Sequence, residues 1–273
     1  MNTSRDSATA HRASMSTGIA LQLYTLREQA SEDFVGMLKG VAEAGYGAVE
    51  FAGYGGLEIP ELRTIIDDLG LRAISSHVPF QRMETELGAV LEELSILGCE
   101  YAVVPGIPKE RRGIESVPYL IGKFNQWGAA SKAAGLRFGY HNHGWELEPL
   151  DGSTMLDLLT SGTDAAVVDF QIDIYWALVG GADPIALIRQ LAGRVPTLHA
   201  KELAKGGEQK DTTIGDGVTN WAELLAAAKA AGTEWLIVEQ EDDPANAYRD
   251  IRRSLANLRR LTAEPDIASQ PEP

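Results

Sequence analysis

Eight times along the chain a short apolar run gives way to an amphipathic segment, and this alternation limits the available folds more than any other feature. The apolar runs are Ile19 to Tyr24, Ala48 to Ala52, Arg72 to His77, Tyr101 to Val104, the first half of Leu136 to Glu148, Ala166 to Ile172, Pro196 to His199 and Trp235 to Glu239. Helical segments lie between and after them. In the first, Ser31 can cap, Phe34, Leu38, Val41 and Ala42 share one helical face, and Gly45 stops the turn. The others fall at 59–70, 84–97, 117–134, 154–160, 183–193, 220–232 and 243–261, the last rich in arginine toward its C-terminus. Strands that alternate with helices build a parallel sheet. Eight such units in 273 residues predict a closed α/β barrel, a single-domain (β/α)8 TIM barrel, ahead of an open doubly wound sheet. No GxGxxG or GxxxxGK turn follows an early strand, which disfavours a nucleotide-binding version.

The barrel is expected over residues 18–262, between a polar arm (1–17, with Met15 an alternative start) and a polar, proline-bearing tail (263–273). The arm lacks the apolar centre of a secretory signal, and no apolar run approaches a membrane span. A net charge of −15 argues against lasting contact with nucleic-acid phosphates or an anionic bilayer. The lone cysteine, Cys99, has no partner for an internal disulfide and reads as a small core residue. These features together predict a cytoplasmic protein.

The stretch LRFGYHNHGWELE, Leu136 to Glu148, packs His141, Asn142, His143 and Glu146 into six positions where a strand gives way to its loop. Side chains alternate along a strand, so His141 and His143 share a face and Asn142 takes the other. Two imidazoles aimed at one space suit metal binding or proton transfer better than core building. The pattern extends: His77, His141, His143 and His199 all stand at strand C-terminal ends, joined there by Glu50, Asp173 and Glu239. In a barrel those ends meet around one mouth. Singly each is ordinary rim polarity. Collected, the mutual repulsion of Asp173 and Glu239 calls for a cation, and carboxylates with imidazole fit Mn²⁺, Mg²⁺, Co²⁺ or Zn²⁺.

In order and spacing, LQLYTLR, GYGAVEFAGYGG, SSHVPF, YHNHGWELE, QIDIYW, HAKE with GDGVTNW, and IVEQED resemble the sugar phosphate isomerase/epimerase superfamily, the xylose isomerase-like TIM barrels, over roughly Ile19 to Leu261. The YHNH form is similar to the branch near inosose dehydratase, keto-sugar epimerases and C-glycoside-cleaving subunits. The resemblance implies one divalent metal, Mn²⁺ first, held by Glu146, Asp173, His199 and Glu239 from strands five to eight. Many relatives carry a glutamate where this chain has His141. Either His141 takes that place or Glu146 reaches back from the loop, and the second keeps three carboxylates around the ion.

Such a site would act on a keto-sugar or related polyol through an enediolate. His143 and Glu239 are expected to move the proton, with Glu146 as alternate. Glu50, His77, His141, Trp176 and Lys201 would contact substrate, and Trp145, Tyr175 and Trp176 could wall its apolar face. Isomerisation or epimerisation is expected first, and dehydration or lyase chemistry by β-elimination second. The endonucleases of the same superfamily need more ligands and a cationic face, and a vestigial sugar-binding barrel would show a broken ligand set. Partners reduce to the small-molecule substrate, with a homo-oligomer or a small partner subunit left open.

Overall fold

The computed structural model describes residues 17–263, so the arm and tail expected at the two ends lie outside the described residues, save residues 17 and 263. Its eight barrel strands are β1 (Gly18–Gln22), β2 (Ala48–Phe51), β3 (Arg72–His77), β4 (Tyr101–Val104), β5 (Arg137–His141), β6 (Val168–Asp173), β7 (Thr197–Ala200) and β8 (Trp235–Val238). Each pairs in parallel with the strands before and after it in the chain, and β8 closes onto β1 through Gly18 to Leu21 against Trp235 to Val238. The (β/α)8 barrel expected from the alternation is the fold found.

Two cores hold it. A large one fills the space between strands and helices, where Phe124 and Trp127 of helix Val117–Ala133 meet Phe138 and Tyr140 of β5 with ring centroids 5.1–5.8 Å apart. Rings at these spacings add packing energy beyond their buried area. A small one, Ala20, Ala48, Ile74 and Ile237 with Trp235 packed against it, fills the barrel interior below the mouth. At the opposite end Arg137 binds Asp169 at 2.8 Å and Glu234 at 3.0 Å, and Tyr101 donates to Glu234.

Local departures from the expected boundaries have simple causes. The first long helix runs Phe34–Glu43, and Asp33, not Ser31, caps it by accepting from Gly36 N–H at 2.8 Å. Ser31 instead belongs to a preceding short helix, Arg27–Glu32, and its hydroxyl donates to Glu28 C=O. The segment expected as one helix over 84–97 is two, Phe80–Thr85 and Leu87–Leu97. A short helix, Ile174–Val179, starts directly at the end of β6 with Asp173 as its cap. Two small antiparallel pairs, Pro149–Leu150 with Ser153–Thr154 and Glu202–Leu203 with Asp211–Thr212, decorate the loops after β5 and β7. Among the described residues no helix is long and apolar enough to cross a membrane. Cys99 is buried in the large core, where burial pushes its thiol up, so it is a packing residue as expected.

Candidate active site

The strand ends deliver four polar side chains to one point. Asp173, the last residue of β6, has no exposed surface; its Oδ1 accepts from Trp176 N–H at 2.9 Å, as an N-cap does. Asn142, on the opposite face from its histidine neighbours, holds the backbone there by accepting from Asp173 N–H at 3.2 Å. His199 of β7 points Nδ1 at Glu239 Oε2, 2.7 Å away, and at Asp173 Oδ2, 3.8 Å away. His141 at the end of β5 brings Nε2 to 4.0 Å from the same Asp173 oxygen. Ligand atoms of Asp173, His199 and Glu239 lie within 4.8 Å of one another, as do those of His77, His141 and His199.

This arrangement fits a cation. Asp173 Oδ2 is buried and has no hydrogen-bond partner, an expensive state for a carboxylate oxygen unless something positive meets it. Burial pushes the Asp173 carboxyl well above its usual range, against the pull of Lys201 and His199. Burial also opposes charge on Glu239, yet Lys201 and His199 hold that carboxyl below its usual range. His199 shows the opposite balance: burial disfavours its charge, but the Glu50 and Glu239 carboxylates hold its pKa up to about 10. A proton on Nδ1 does for Glu239 what a metal ion would do for Glu239 and Asp173 together. Two carboxylates and one or two imidazoles are a hard-to-borderline donor set suited to a divalent ion.

Several of the residues singled out in the sequence line one cavity. A cavity of about 590 Å³ opens above the cluster and is lined by His77, His141, His143, Trp176 and Glu239, with Tyr24, Tyr54 and Glu241 on its walls. His141 and His143 share it, as strand alternation requires, with rings 5.0 Å apart. The His143 ring also lies 5.4 Å from that of Trp176, and burial lowers its pKa to about 4 against the pull of Glu239, so it is uncharged near neutrality. A second cavity of about 620 Å³ adjoins the first through Pro105, His143 and Trp176 and takes Trp145 into its wall.

Three residues do not sit where the sequence placed them. Glu146 does not reach the cluster: Tyr140 donates its hydroxyl to Oε1, and His143 N–H donates to Oε2 at 2.8 Å. The short helix Trp145–Leu147 folds its side chain back against β5, and burial raises its pKa to about 7. Of the two alternatives for strand five, the structure brings His141, and not Glu146, to Asp173. Glu50 has no exposed surface and does not line the cavity; it lies beneath the histidines. Lys201 is only 2% exposed and turns to Glu241 and Asp211, with its ammonium over the Tyr175 and Trp176 rings at 5.0 and 5.5 Å. It is a buried counter-charge to the acids around it, and it does not line the cavity.

Two further contributors have no role that the sequence assigns. Gln171, two residues before Asp173 on β6, bonds Glu50, His77, His141 and Thr197, and a glutamine inside a strand carries no spacing signal. Glu202 is fully buried and accepts from Trp221 Nε1, Gly215 N–H and Thr219 N–H, which pins the loop after β7 beside the mouth.

Known proteins share this sequence pattern and fold. The inosose dehydratase of Geobacillus kaustophilus (strain HTA426) is 26% identical over 252 residues, covering 78% of this chain and 81% of that protein. A crystal structure described as a sugar phosphate isomerase/epimerase from Parabacteroides distasonis ATCC 8503 superposes with a TM-score of 0.78 at 25% identity, covering 90% of this chain and all (100%) of that one. A D-psicose 3-epimerase with D-tagatose from Clostridium cellulolyticum H10 shares the fold at a TM-score of 0.71 and 16% identity, over 91% of this chain and 100% of that one. Residues 38–261, most of the barrel, match the xylose isomerase-like TIM barrel family, and the chain belongs to it.

Proposed function

We propose that this chain is a divalent-metal-dependent enzyme that removes the proton beside the carbonyl of a keto-polyol. Asp173, His199 and Glu239, with His141 as fourth donor in place of Glu146, would hold the ion; Mn²⁺ is the first candidate for such a donor set, with Mg²⁺, Co²⁺ and Zn²⁺ behind it. The observation that carries the reading is the buried, partnerless Asp173 Oδ2 facing two imidazoles. When bound, the ion supplies stabilisation for negative charge that develops on neighbouring substrate oxygens.

The chain's own groups do the rest. His143, uncharged and facing the cavity, takes the proton next to the carbonyl, and the Glu239 carboxylate, on the same cavity wall, takes the second proton-transfer role. Trp176 offers an aromatic face beside His143 for the apolar side of a sugar ring. Loss of the hydroxyl on the next carbon as water, its oxygen protonated by the imidazolium that His143 becomes, is the first outcome, because a relative matching 78% of this chain is an inosose dehydratase. Return of the proton to another carbon or face, an isomerisation or epimerisation, is the second, favoured by two proton-transfer groups lining one cavity.

The experiment is an incubation of the Mn²⁺-loaded protein with inososes and keto-sugars in D₂O, followed by NMR. A new unsaturated product supports dehydration, and deuterium beside the carbonyl without loss of water supports isomerisation or epimerisation. No exchange and no product across the panel would contradict the proposal.

A further inference from the structure

We propose that Glu50 is a positioning residue that fixes which ring nitrogen His199 and His141 turn toward Asp173, the first directly and the second through Gln171. This inference rests on the metal reading above and goes beyond it by assigning the work of a layer beneath the site.

Glu50 is fully buried and is surrounded by donors. Its Oε1 meets Gln22 Nε2 at 2.8 Å, His199 Nε2 at 2.7 Å and His77 Nε2 at 3.1 Å; its Oε2 meets Ser75 Oγ at 2.5 Å and Gln171 Nε2 at 2.8 Å. An ionised carboxylate only accepts. His199 therefore carries a proton on Nε2, and its other nitrogen, Nδ1, is the one facing Glu239 and Asp173.

The same carboxylate orients Gln171. Turned the other way, the amide would press its oxygen against Glu50, acceptor against acceptor. Its Nε2 thus points to Glu50 and Thr197, and its Oε1 faces His77 Nε2 at 2.8 Å and His141 Nδ1 at 3.1 Å. An amide oxygen accepts, so His141 is protonated on Nδ1 and presents a bare Nε2 at 4.0 Å from Asp173 Oδ2. One buried acid thus sets two tautomers of opposite kind, one by contact and one by relay. Carboxylates and amides behind an imidazole commonly fix its ring orientation and raise its affinity for a metal.

Two measurements test this on the full chain. In the Zn²⁺-loaded, ¹⁵N-labelled protein, two-bond ¹H–¹⁵N spectra should find the ring N–H of His199 on Nε2 and that of His141 on Nδ1. Either tautomer reversed overturns the inference. Mn²⁺ titration, with the free ion followed by electron paramagnetic resonance, should show Glu50→Gln weakening binding roughly 10- to 100-fold, because an NH₂ then faces a ring of donors. Gln171→Leu, which leaves the Glu50–His199 contact in place, should weaken it about 10-fold and serves as the deciding variant if Glu50→Gln does not fold. A folded variant of either kind that binds Mn²⁺ within twofold of the parent overturns the inference while leaving the metal site standing. A parent chain that binds no Mn²⁺ overturns both.

Discussion

His199 Nδ1 lies 2.7 Å from Glu239 Oε2, across the join between neighbouring strands β7 and β8, with His199 itself wholly buried. Neutral imidazole with a bare Nδ1 cannot stay that close to a carboxylate, so a cation, proton or metal, must sit on that nitrogen. The pair is therefore a place where protons and metal ions compete.

Asp173→Asn tests the acid on the third side. Asparagine keeps the cap on helix Ile174–Val179, since its side-chain oxygen can still accept from Trp176 N–H, but it removes the charge. Mn²⁺ affinity should fall at least ~10-fold, and the melting temperature of the metal-free protein should stay level or rise, because an unpaired buried carboxylate has been relieved. Isothermal titration beside a melting curve measures both.

His143→Ala should separate chemistry from metal binding. Its ring lines the cavity but is not among the groups that converge on Asp173. Turnover should drop roughly 10²- to 10⁴-fold while the Mn²⁺ dissociation constant stays unchanged. A parallel loss of metal would move His143 into the ligand set.

Metal-free stability should depend on pH through Glu146. Burial raises its pKa to about 7, so the folded state holds this proton more tightly than the unfolded state does. The stabilisation is fully present below the ordinary carboxylate pKa and is lost as pH rises through about 7. It amounts to up to about 3 kcal/mol. The buried imidazoles of His141 and His143, whose pKa values burial lowers, act in the opposite direction, so the test is a comparison: in urea denaturation with chelator, Glu146→Gln should lose less stability, or gain more, than the parent between pH 5 and pH 8. Asp173 acts in the same direction as Glu146 and is unchanged in both proteins, so it drops out of the difference.

Gly128 tests how helix Val117–Ala133 seats against the entry to β6. A Cβ built there would lie 2.3 Å from the Val167 carbonyl oxygen, because helix Val117–Ala133 passes directly against the backbone leading into β6. Gly128→Ala should cost ~1–3 kcal/mol in denaturant unfolding despite alanine's better helix propensity.

The barrel was legible because its signal is repeated: eight apolar runs with helical spacers leave little else to build, and Asp173, His199 and Glu239 fall at strand ends by simple counting. Strand alternation also put His141 and His143 on one face correctly. Glu146 was misplaced for a physical reason. Its position one turn past the strand is compatible with reaching back to the site, and only the Tyr140 hydroxyl and the His143 N–H, which take both oxygens, decide otherwise. Glu50 looked like a rim residue because a strand-end acid normally faces solvent. The ring of donors from Gln22, Ser75, Gln171 and two histidines that buries it comes from four other strands, which no local pattern can announce. Lys201 shows the same limit: its place just past β7 suggests a substrate contact, but Glu241 and Asp211 fix where its ammonium goes.

A metal site at the barrel mouth requires the acids and imidazoles there to gather around one ion. Anomalous diffraction from crystals grown with Mn²⁺ measures that directly. One strong peak is expected, bounded by Asp173, His199, Glu239 and His141, with Glu146 still bonded to Tyr140. Well-ordered side chains with no peak between them, or a peak held by Glu146 in place of His141, would contradict this expectation.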